Sequence, residues 1–454
     1  MTGQLLFGRT PNWKMNLCER RIPHGSKTRT GKASENPREF LIRVLIKPLL
    51  CVILCLGCEK SRTPPPLAGF VRAEGSQIVA PAGNPIKLRG INLGNWLLPE
   101  GYMFKLEVAT AHWQIQQVIK ELVGPAEAHE FWKQYYDSYI TAEDIHFLKS
   151  LGLNSIRVPF NYKLLTPEDH PEVWLEQGFE LLDRVIKWSK AESLYVILDM
   201  HAAPGGQTGT NIDDSAGHPW LFENAACQER AIVIWRKIAK RYRDETTVLG
   251  YELLNEPIPH FEEYQKFNPL LEPLYKRMVA AMREVDSHHL IVLGGAQWNT
   301  NFKVFGPPFA GNLVYAFHKY WMDPVQQQIQ EFVDFRDQHN APIWMSESGE
   351  NTDLWIKTYR ELLEQNDIGW CFWPYKKMEV TSCMRSFAPP PYWDEIVAFA
   401  KVHHVDPADI KKHRPPIEHS RAALAGLLNN IRFQNNSVNT GYVAALGLQS
   451  GHVR

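Results

Sequence analysis

The chain is poor in cysteine and carries no excess charge of either sign. Only 7 of its 454 residues are cysteines, and four of these lie within the first 58 residues. The others are Cys227, Cys371 and Cys383, so the sequence offers no disulfide framework and no paired zinc-ligand spacing, although one bridge stays possible. A formal net charge of -1 provides no electrostatic footprint for nucleic acid or an anionic membrane surface.

Short motifs for metal and phosphate chemistry are also missing. The sequence has 17 histidines but no His-Glu-x-x-His or similar ligand spacing, which argues against a metal-dependent hydrolase. No glycine-rich phosphate fingerprint follows the first predicted strand, which disfavours nucleotide binding. We therefore expect neither a metal ion nor another cofactor.

The first 67 residues differ from the rest of the chain. Residues 1–40 are basic and aperiodic, which argues against a packed fold. Residues 41–58 place basic side chains before an apolar run of roughly ten residues, which suits a signal peptide and is too short to span a bilayer. The run ends in Leu56-Gly57-Cys58, which resembles a bacterial lipoprotein box, and a Pro-rich tether follows to residue 67.

This leader predicts an exported protein, either attached to the cell envelope or free in the periplasm or medium. Membrane contact would be limited to a lipid on Cys58. The match is imperfect, because Cys55 stands three residues before Cys58, where leucine is usual. The alternative is a membrane-anchoring or buried helix.

Residues 68–404 alternate between short apolar segments and helical patterns. After a hairpin pattern over 70–82, eight segments rich in branched or aromatic residues are typical of strands buried on both faces. They cover residues 87–93, 155–160, 195–201, 249–255, 290–294, 313–318, 343–347 and 370–373. The repeat of eight favours a (β/α)8 barrel of the TIM type over a doubly wound open sheet. Residues 405–454, with a helical pattern at 420–431, are predicted to be an extension of unknown role.

Two of these segments lead to a glutamate and then break. Residues 251–257 read Tyr-Glu-Leu-Leu-Asn-Glu-Pro, and residues 343–349 read Ile-Trp-Met-Ser-Glu-Ser-Gly. In a barrel, Glu256 and Glu347 would share the cleft at the carboxyl ends of the strands. Two such carboxylates are what glycoside hydrolysis requires, one as proton donor and one as nucleophile or base. The alternative is a pair of surface or ion-paired carboxylates, but their apolar flanks argue against exposure.

Other predicted strands also end in polar or aromatic residues. These are Asn92, Trp96, Glu100, Arg157, His201, Asn255, His318, Tyr320 and Trp373. Any one of them could be a packing or ion-pair residue. Polar groups placed there by chance would mostly be buried without partners, at a cost in free energy. We therefore predict that the set converges on one cleft.

Together these motifs resemble those of glycoside hydrolase family 5, the cellulase-type retaining hydrolases. The resemblance spans roughly residues 85–400 and rests on Asn255-Glu256-Pro257, the strand ending at Glu347, Arg157, His201, His318-Lys319-Tyr320 and Trp373. Residues 92–100 and 199–207 are similar to the exo-β-1,3-glucanase subgroup. Ser348-Gly349, after the second glutamate, is closer to the endoglucanase pattern.

The resemblance implies a division of labour between the two glutamates. Glu256 would be the acid and base with a raised pKa, and Glu347 the nucleophile with a lowered pKa. Arg157 and Tyr320 would keep Glu347 ionised by charge and hydrogen bonding.

The same resemblance implies a set of substrate-binding residues. Asn255 would bind the sugar 2-hydroxyl, and His201 and His318 would orient sugar hydroxyls or the acid. Trp373 would floor the subsite of the reacting sugar, and Glu100 would accept hydrogen bonds from its outer hydroxyls. Further stacking candidates are Trp96, Trp298 and Trp321.

The implied function is retaining hydrolysis of β-glucan oligo- or polysaccharides by double displacement. The alternatives are a retaining hydrolase of another β-glycoside, such as mannan, glucosylceramide or an aryl glucoside, and a non-catalytic surface barrel that binds carbohydrate. The presence of both glutamates argues against the second. Linkage preference and endo or exo action stay open, because the insertions at 106–139 and 207–224 are long enough to block the cleft.

Overall fold

The computed structural model describes residues 69–402 and 404–449. The predicted leader and its Cys58 lie outside this part of the chain. Within the described residues, no helix is long and apolar enough to cross a membrane.

Eight parallel strands close into a barrel, which confirms the predicted (β/α)8 fold. A hairpin of β1 (Arg72–Glu74) and β2 (Gln77–Val79) precedes it. The barrel strands are β3 (Arg89–Asn92), β4 (Ser155–Asn161), β5 (Tyr195–Ala202), β6 (Val248–Glu252), β7 (Leu290–Gly294), β8 (Leu313–His318), β9 (Ile343–Glu347) and β10 (Gly369–Phe372). Each strand pairs with the next in sequence, and β10 pairs with β3 to close the ring.

Helices surround the barrel, and those before β10 join its strands. They are α1 (His112–Val123), α2 (Pro125–Tyr139), α3 (Ala142–Ser150), α4 (Glu176–Glu192), α5 (Ala225–Tyr242), α6 (Asn268–Arg283), the single turn α7 (Ala296–Asn299), α8 (Gln330–His339), α9 (Asp353–Gln365), α10 (Trp393–Ala400), α11 (Pro407–His413), α12 (Ile417–Asn430) and α13 (Thr440–Ala445). The insertion predicted at 106–139 therefore holds two helices, α1 and α2.

Alternating side chains along the strands separate two apolar layers. On β7, Leu290 and Val292 point into the barrel, whereas Ile291 and Leu293 pack outward against the helices. This period of two is what a strand buried on both faces requires. Val71 and Ile78 of the hairpin region join the inner cluster and so cover one end of it. The other end, where the strands finish, is left for the site.

The last described residues pack against the barrel. Strands β11 (Lys376–Met378) and β12 (Arg385–Phe387) form a small sheet with β13 (Ser437–Val438). Helix α13 packs on α9. The Tyr442 hydroxyl donates to the carbonyl oxygen of Trp373 at 3.1 Å, directly after β10. Part of the predicted extension therefore supports the closing strand of the barrel.

Candidate active site

A cleft of ≈ 780 Å³ lies at the carboxyl ends of the barrel strands. Its lining combines acidic, imidazole and aromatic side chains. They include Glu100, Tyr102, His201, Glu256, Phe261, Trp298, His318, Tyr320, Trp321, Glu347, Glu350 and Trp373. Most of the residues predicted at strand ends therefore meet in one cavity.

The two predicted glutamates face each other across this cleft. Glu347 is the last residue of β9, and Glu256 follows β6 in a left-handed backbone conformation with φ 46°. Such a conformation is strained for a residue with a side chain, and strain of this kind is concentrated at functional sites. One carboxylate oxygen of each residue lies within 4.8 Å of the other.

The buried side chain of Arg157 forms a salt bridge with Glu347. Its Nη1 donates to Glu347 Oε2 at 2.7 Å, and its Nε donates to Glu252 Oε2 at 2.7 Å. Its Nη2 lies 3.1 Å from Asp199 Oδ2. The guanidinium is fully buried, so one cation faces three carboxyl groups, and burial raises the pKa of Asp199 to about 7. A planar guanidinium with five N–H donors suits this task better than a lysine does.

Glu256 contacts a neutral histidine instead of a cation. His318 Nδ1 lies 2.8 Å from Glu256 Oε1, and burial holds the pKa of His318 well below its usual range. A neutral imidazole carries one proton on two nitrogens, so it can donate to a carboxylate or accept from a carboxylic acid. This contact therefore suits both protonation states of Glu256.

Burial raises the pKa of both glutamates, but their neighbouring groups make the two pKa values differ. For Glu256 the charge of Glu347 adds to the effect of burial, which puts its pKa well above the usual range. For Glu347 the effect of burial is opposed by Arg157 and by Tyr320, whose hydroxyl donates to Oε1 at 2.9 Å. The expected lowering of the Glu347 pKa is wrong in sign. The expected order, with Glu347 ionising first, follows from these contacts.

His201 and Trp373 form one stacked wall of the cleft. Their ring centroids are 5.6 Å apart and their planes differ by 7°. The indole N–H of Trp373 donates to the Tyr102 hydroxyl at 2.9 Å. Gly94 lies so close that a Cβ there would be 2.3 Å from the indole ring, and only glycine leaves this space. Trp373 is therefore held rigidly.

Three of the predicted substrate-binding residues lie beneath the cleft surface. Trp96 is fully buried and its indole N–H donates to the Tyr136 carbonyl at 2.8 Å, so the prediction of a stacking role is wrong. Arg157 has no exposed surface and binds Glu347, not the substrate. Asn255 is also fully buried, with Oδ1 accepting from Arg157 and Nδ2 3.2 Å from His201 Nε2.

The sequence interpretation missed several charged or polar residues of the site. Asp199 and Glu252 bind Arg157 from inside β5 and β6, and Ser346 donates to Glu252 at 3.0 Å. A charged residue within an apolar strand is the signal that could have identified the first two. Glu350 and Tyr102, which line the cleft, lie outside the barrel strands and had no such signal.

Glu256, His318 and Glu347 also form a group of described side chains that could hold a metal ion. Each already has a protein partner. His318 contacts Glu256, and Glu347 accepts from Arg157 and Tyr320. These contacts account for the closeness of the three side chains.

Comparison of the sequence with known proteins finds a matching family model and several similar proteins. The sequence model described as cellulase (glycosyl hydrolase family 5) matches residues 118–379. A β-xylosidase of Phanerodontia chrysosporium is 35% identical over 254 residues, 55% of this chain and 52% of its own length. Endoglucanase C of Acetivibrio thermocellus is 28% identical over 311 residues, 55% of this chain and 88% of that protein. A probable glucan 1,3-β-glucosidase A of Emericella nidulans is 33% identical over 174 residues, 38% of this chain and 42% of that protein.

The chain therefore spans about half the length of the β-xylosidase. Two solved structures share its fold. An endogalactoceramidase aligns with a TM-score of 0.56 and 17% identity, over 83% of this chain and 84% of that one. A rutinosidase from Aspergillus niger aligns with a TM-score of 0.53 and 20% identity, over 65% of this chain and 92% of that one.

Proposed function

Since the chain belongs to glycosyl hydrolase family 5, we propose that it hydrolyses β-glycosides, and β-glucans in particular, with retention of configuration. The observation that carries the proposal is the closeness of Glu256 and Glu347, whose carboxylate oxygens approach within 4.8 Å. Retaining glycosidases place their carboxyl groups about 5–5.5 Å apart, whereas inverting enzymes need about 6.5–9.5 Å to admit a water molecule.

The reaction has two displacements. In the first, protonated Glu256 gives its proton to the glycosidic oxygen while Glu347 attacks the anomeric carbon. The carbon–oxygen bond to the leaving group breaks, and an ester between the sugar and Glu347 forms. In the second, Glu256 takes a proton from water as that water attacks the same carbon and releases Glu347.

The partners of each glutamate suit its role. Arg157 and Tyr320 stabilise the Glu347 carboxylate, which must be ionised to attack. Glu256 has no cation within hydrogen-bonding distance among the described residues, and burial and the charge of Glu347 favour its protonated form. Trp373 lines the cleft with only 2% of its surface exposed, so its role as the floor of a sugar subsite stays a prediction.

We expect the anomeric configuration of the first product to match that of the substrate. The measurement is proton NMR of the anomeric region during hydrolysis of an aryl β-glucoside, before mutarotation equilibrates the product. Initial release of the β-anomer supports double displacement. Initial release of the α-anomer would contradict it and require a water molecule between the carboxylates.

We expect kcat/KM to fall at high pH as Glu256 loses its proton. The raised pKa of Glu256 places this basic limb above the usual range of a glutamate, which is about 4.3 in model peptides. The check is a pH profile of wild type and Glu256→Ala on an aryl glucoside whose leaving group needs no protonation. The variant should lose the basic limb. If the basic limb of the pH profile persists unchanged in the variant, it arises from the ionisation of another group.

The sugar and linkage preference is the second part of the proposal. The similar proteins named above include an endoglucanase, a probable glucan 1,3-β-glucosidase and a β-xylosidase. A panel of laminarin, carboxymethyl-cellulose, aryl β-glucoside and aryl β-xyloside separates these activities. Glucose released from laminarin supports exo-β-1,3 action, and a rapid fall in the viscosity of carboxymethyl-cellulose supports endo-β-1,4 action. If only the aryl β-xyloside is hydrolysed, the proposed substrate class becomes β-xylosides instead of β-glucans.

We also propose that the enzyme is exported and acylated at Cys58, as the leader composition suggests. Mass spectrometry of the amino terminus of the mature protein tests this. A mature chain that begins at a lipid-modified Cys58 agrees, and one that retains residues 1–40 does not.

A further inference from the structure

A second cavity of ≈ 330 Å³ lies beside the active-site cleft. It is bounded by α1, the turn after β4 and the segment after β5. The side chains and backbone around it belong to Trp113, Tyr162, Lys163, Glu168, Ala203, Gly205, Gly206, Asp214, Ser215, Ala216 and Trp220. Its volume falls at the lower end of the range of small-molecule sites.

Exposed tryptophans mark both cavities. In the described chain three tryptophans are exposed: Trp113, Trp220 and Trp321, at 43%, 49% and 71%. Trp321 lines the active-site cleft, and the other two line the second cavity. Exposed large apolar side chains that gather around a concavity are typical of binding sites. A pyranose ring has an apolar face that fits an indole and hydroxyls that need polar partners.

Both tryptophans have fixed partners: the Trp113 indole is hydrogen-bonded, and the Trp220 ring packs on His218 with ring centroids 4.4 Å apart. The Trp113 backbone N–H donates to Asp214 Oδ1 at 2.6 Å, and its indole N–H donates to the Ser215 carbonyl at 3.2 Å. The Trp220 backbone N–H donates to the Gly205 carbonyl at 3.1 Å. The rings therefore form a preorganised surface, which lowers the entropy cost of binding.

The polar groups at this cavity suit hydroxyl ligands. Lys163 Nζ lies 3.0 Å from Glu168 Oε2 and 3.1 Å from Asp214 Oδ2, so one cation is shared by two acidic side chains. Lys163 and Glu168 both keep exposed surface, at 25% and 56% of their side chains. They present a donor and an acceptor next to the aromatic rings, which is the combination that an uncharged sugar needs.

The segment that follows β5 lies between the two cavities and lines both of them. Ala203, residues 205–206 and residues 214–216 face the second cavity, whereas residues 210–212 face the active-site cleft. At its start, His201 faces the cleft and Ala203 the second cavity, two residues and at most about 7 Å of chain apart. The two cavities therefore lie on either side of one short segment, and a saccharide chain that crosses this segment would contact both.

We propose that the Trp113–Trp220 cavity is a second saccharide subsite, which holds a distant sugar of the same β-linked chain that is cut between Glu256 and Glu347. This inference deepens the proposed function and rests on it. The subsite adds affinity for long chains, and a short aryl glycoside does not reach it.

Kinetics on long and short substrates test the subsite. The double variant Trp113→Ala/Trp220→Ala should raise KM on the preferred polysaccharide of the panel by roughly ten-fold and leave kcat/KM on the aryl glycoside unchanged. The control is Leu354→Ala, which removes an even more exposed apolar side chain, 74% against 43% and 49%, from outside both cavities. The double variant Trp113→Phe/Trp220→Phe should recover most of the lost affinity, because it keeps an aromatic ring at each position. Equal KM values for wild type and the alanine variant on the polysaccharide would overturn the proposal.

A binding measurement separates this inference from the proposed function. Affinity electrophoresis in gels containing laminarin, carboxymethyl-cellulose or xylan measures retention of Glu347→Ala with and without the two tryptophans. Retention that is lost with Trp113→Ala/Trp220→Ala supports the subsite, even if wild type hydrolyses none of the polymers and the proposed function fails. If wild type hydrolyses a polymer but the retention of Glu347→Ala is the same with and without the two tryptophans, the proposed function stands and the subsite is excluded.

Discussion

Replacing Glu347 with alanine is expected to lower kcat/KM on an aryl β-glucoside by at least about 10⁴-fold. The change removes the atom that forms the covalent intermediate, and losses of nucleophiles elsewhere reach about 10⁶-fold. The fold should persist, because Arg157 keeps Asp199 and Glu252 as partners. Steady-state kinetics give the loss of activity, and circular dichroism checks that the variant is folded.

Azide adds a specific test of the role of Glu347. In Glu347→Ala the small anion should enter the space left by the carboxylate and attack the anomeric carbon from that side. The leaving group departs and an α-glycosyl azide forms from a β-glycoside. In Glu256→Ala azide should instead attack the glycosyl–Glu347 ester and give the β-azide. If Glu347→Ala kept more than one per cent of wild-type activity without azide, Glu347 would not be the nucleophile. Such a loss would be smaller than the loss expected when only a general acid is removed, about 10²–10⁴-fold.

Replacing Arg157 with methionine is expected to lower the free energy of unfolding by about 3–5 kcal/mol. Methionine fills a similar space but leaves three buried carboxyl groups, those of Asp199, Glu252 and Glu347, without the cation that favours their ionised forms. Their mutual repulsion and burial then oppose folding at neutral pH. Urea unfolding of wild type and variant, followed by fluorescence, measures the difference.

The control for this experiment is an arginine in an exposed ion pair. Arg236 lies 3.1 Å from Glu284, with about half of its side chain exposed, and Arg236→Met should change stability by less than about 1 kcal/mol. The Arg157→Met deficit should shrink as pH falls, because the orphaned carboxyls take up protons in the folded protein before the unfolded chain does. An effect as small as that of Arg236→Met would mean that the carboxylates are not charged in the fold.

Much of the barrel could be predicted from the sequence because its strands are short, apolar and evenly interrupted. β7, β8 and β9 have the predicted bounds, since polar, glycine or proline residues flank each of these apolar segments. The segment predicted at 249–255 ends as a strand at Glu252, because the chain leaves the barrel there to place Glu256 over the cleft.

The site was less predictable where burial decides the role of a side chain. Trp96 and Trp321 read alike in sequence, but one is fully buried and the other is 71% exposed. Asp199 and Glu252 were missed because their role depends on Arg157, which reaches them from another strand. Pairing of this kind is fixed by tertiary contacts and leaves no periodic pattern along the chain.

The closure of β10 on β3 has a consequence for synthesis on the ribosome. The side-chain amide of Asn92 in β3 donates to the Cys371 carbonyl in β10, across a separation of 279 residues. At about 5–20 residues per second, roughly 15 to 55 seconds pass between the appearance of these two strands. During that interval the edge of β3 that β10 will occupy has no strand to pair with, and unpaired edges of this kind promote aggregation. The newly made chain is thus most vulnerable before its last barrel strand has emerged.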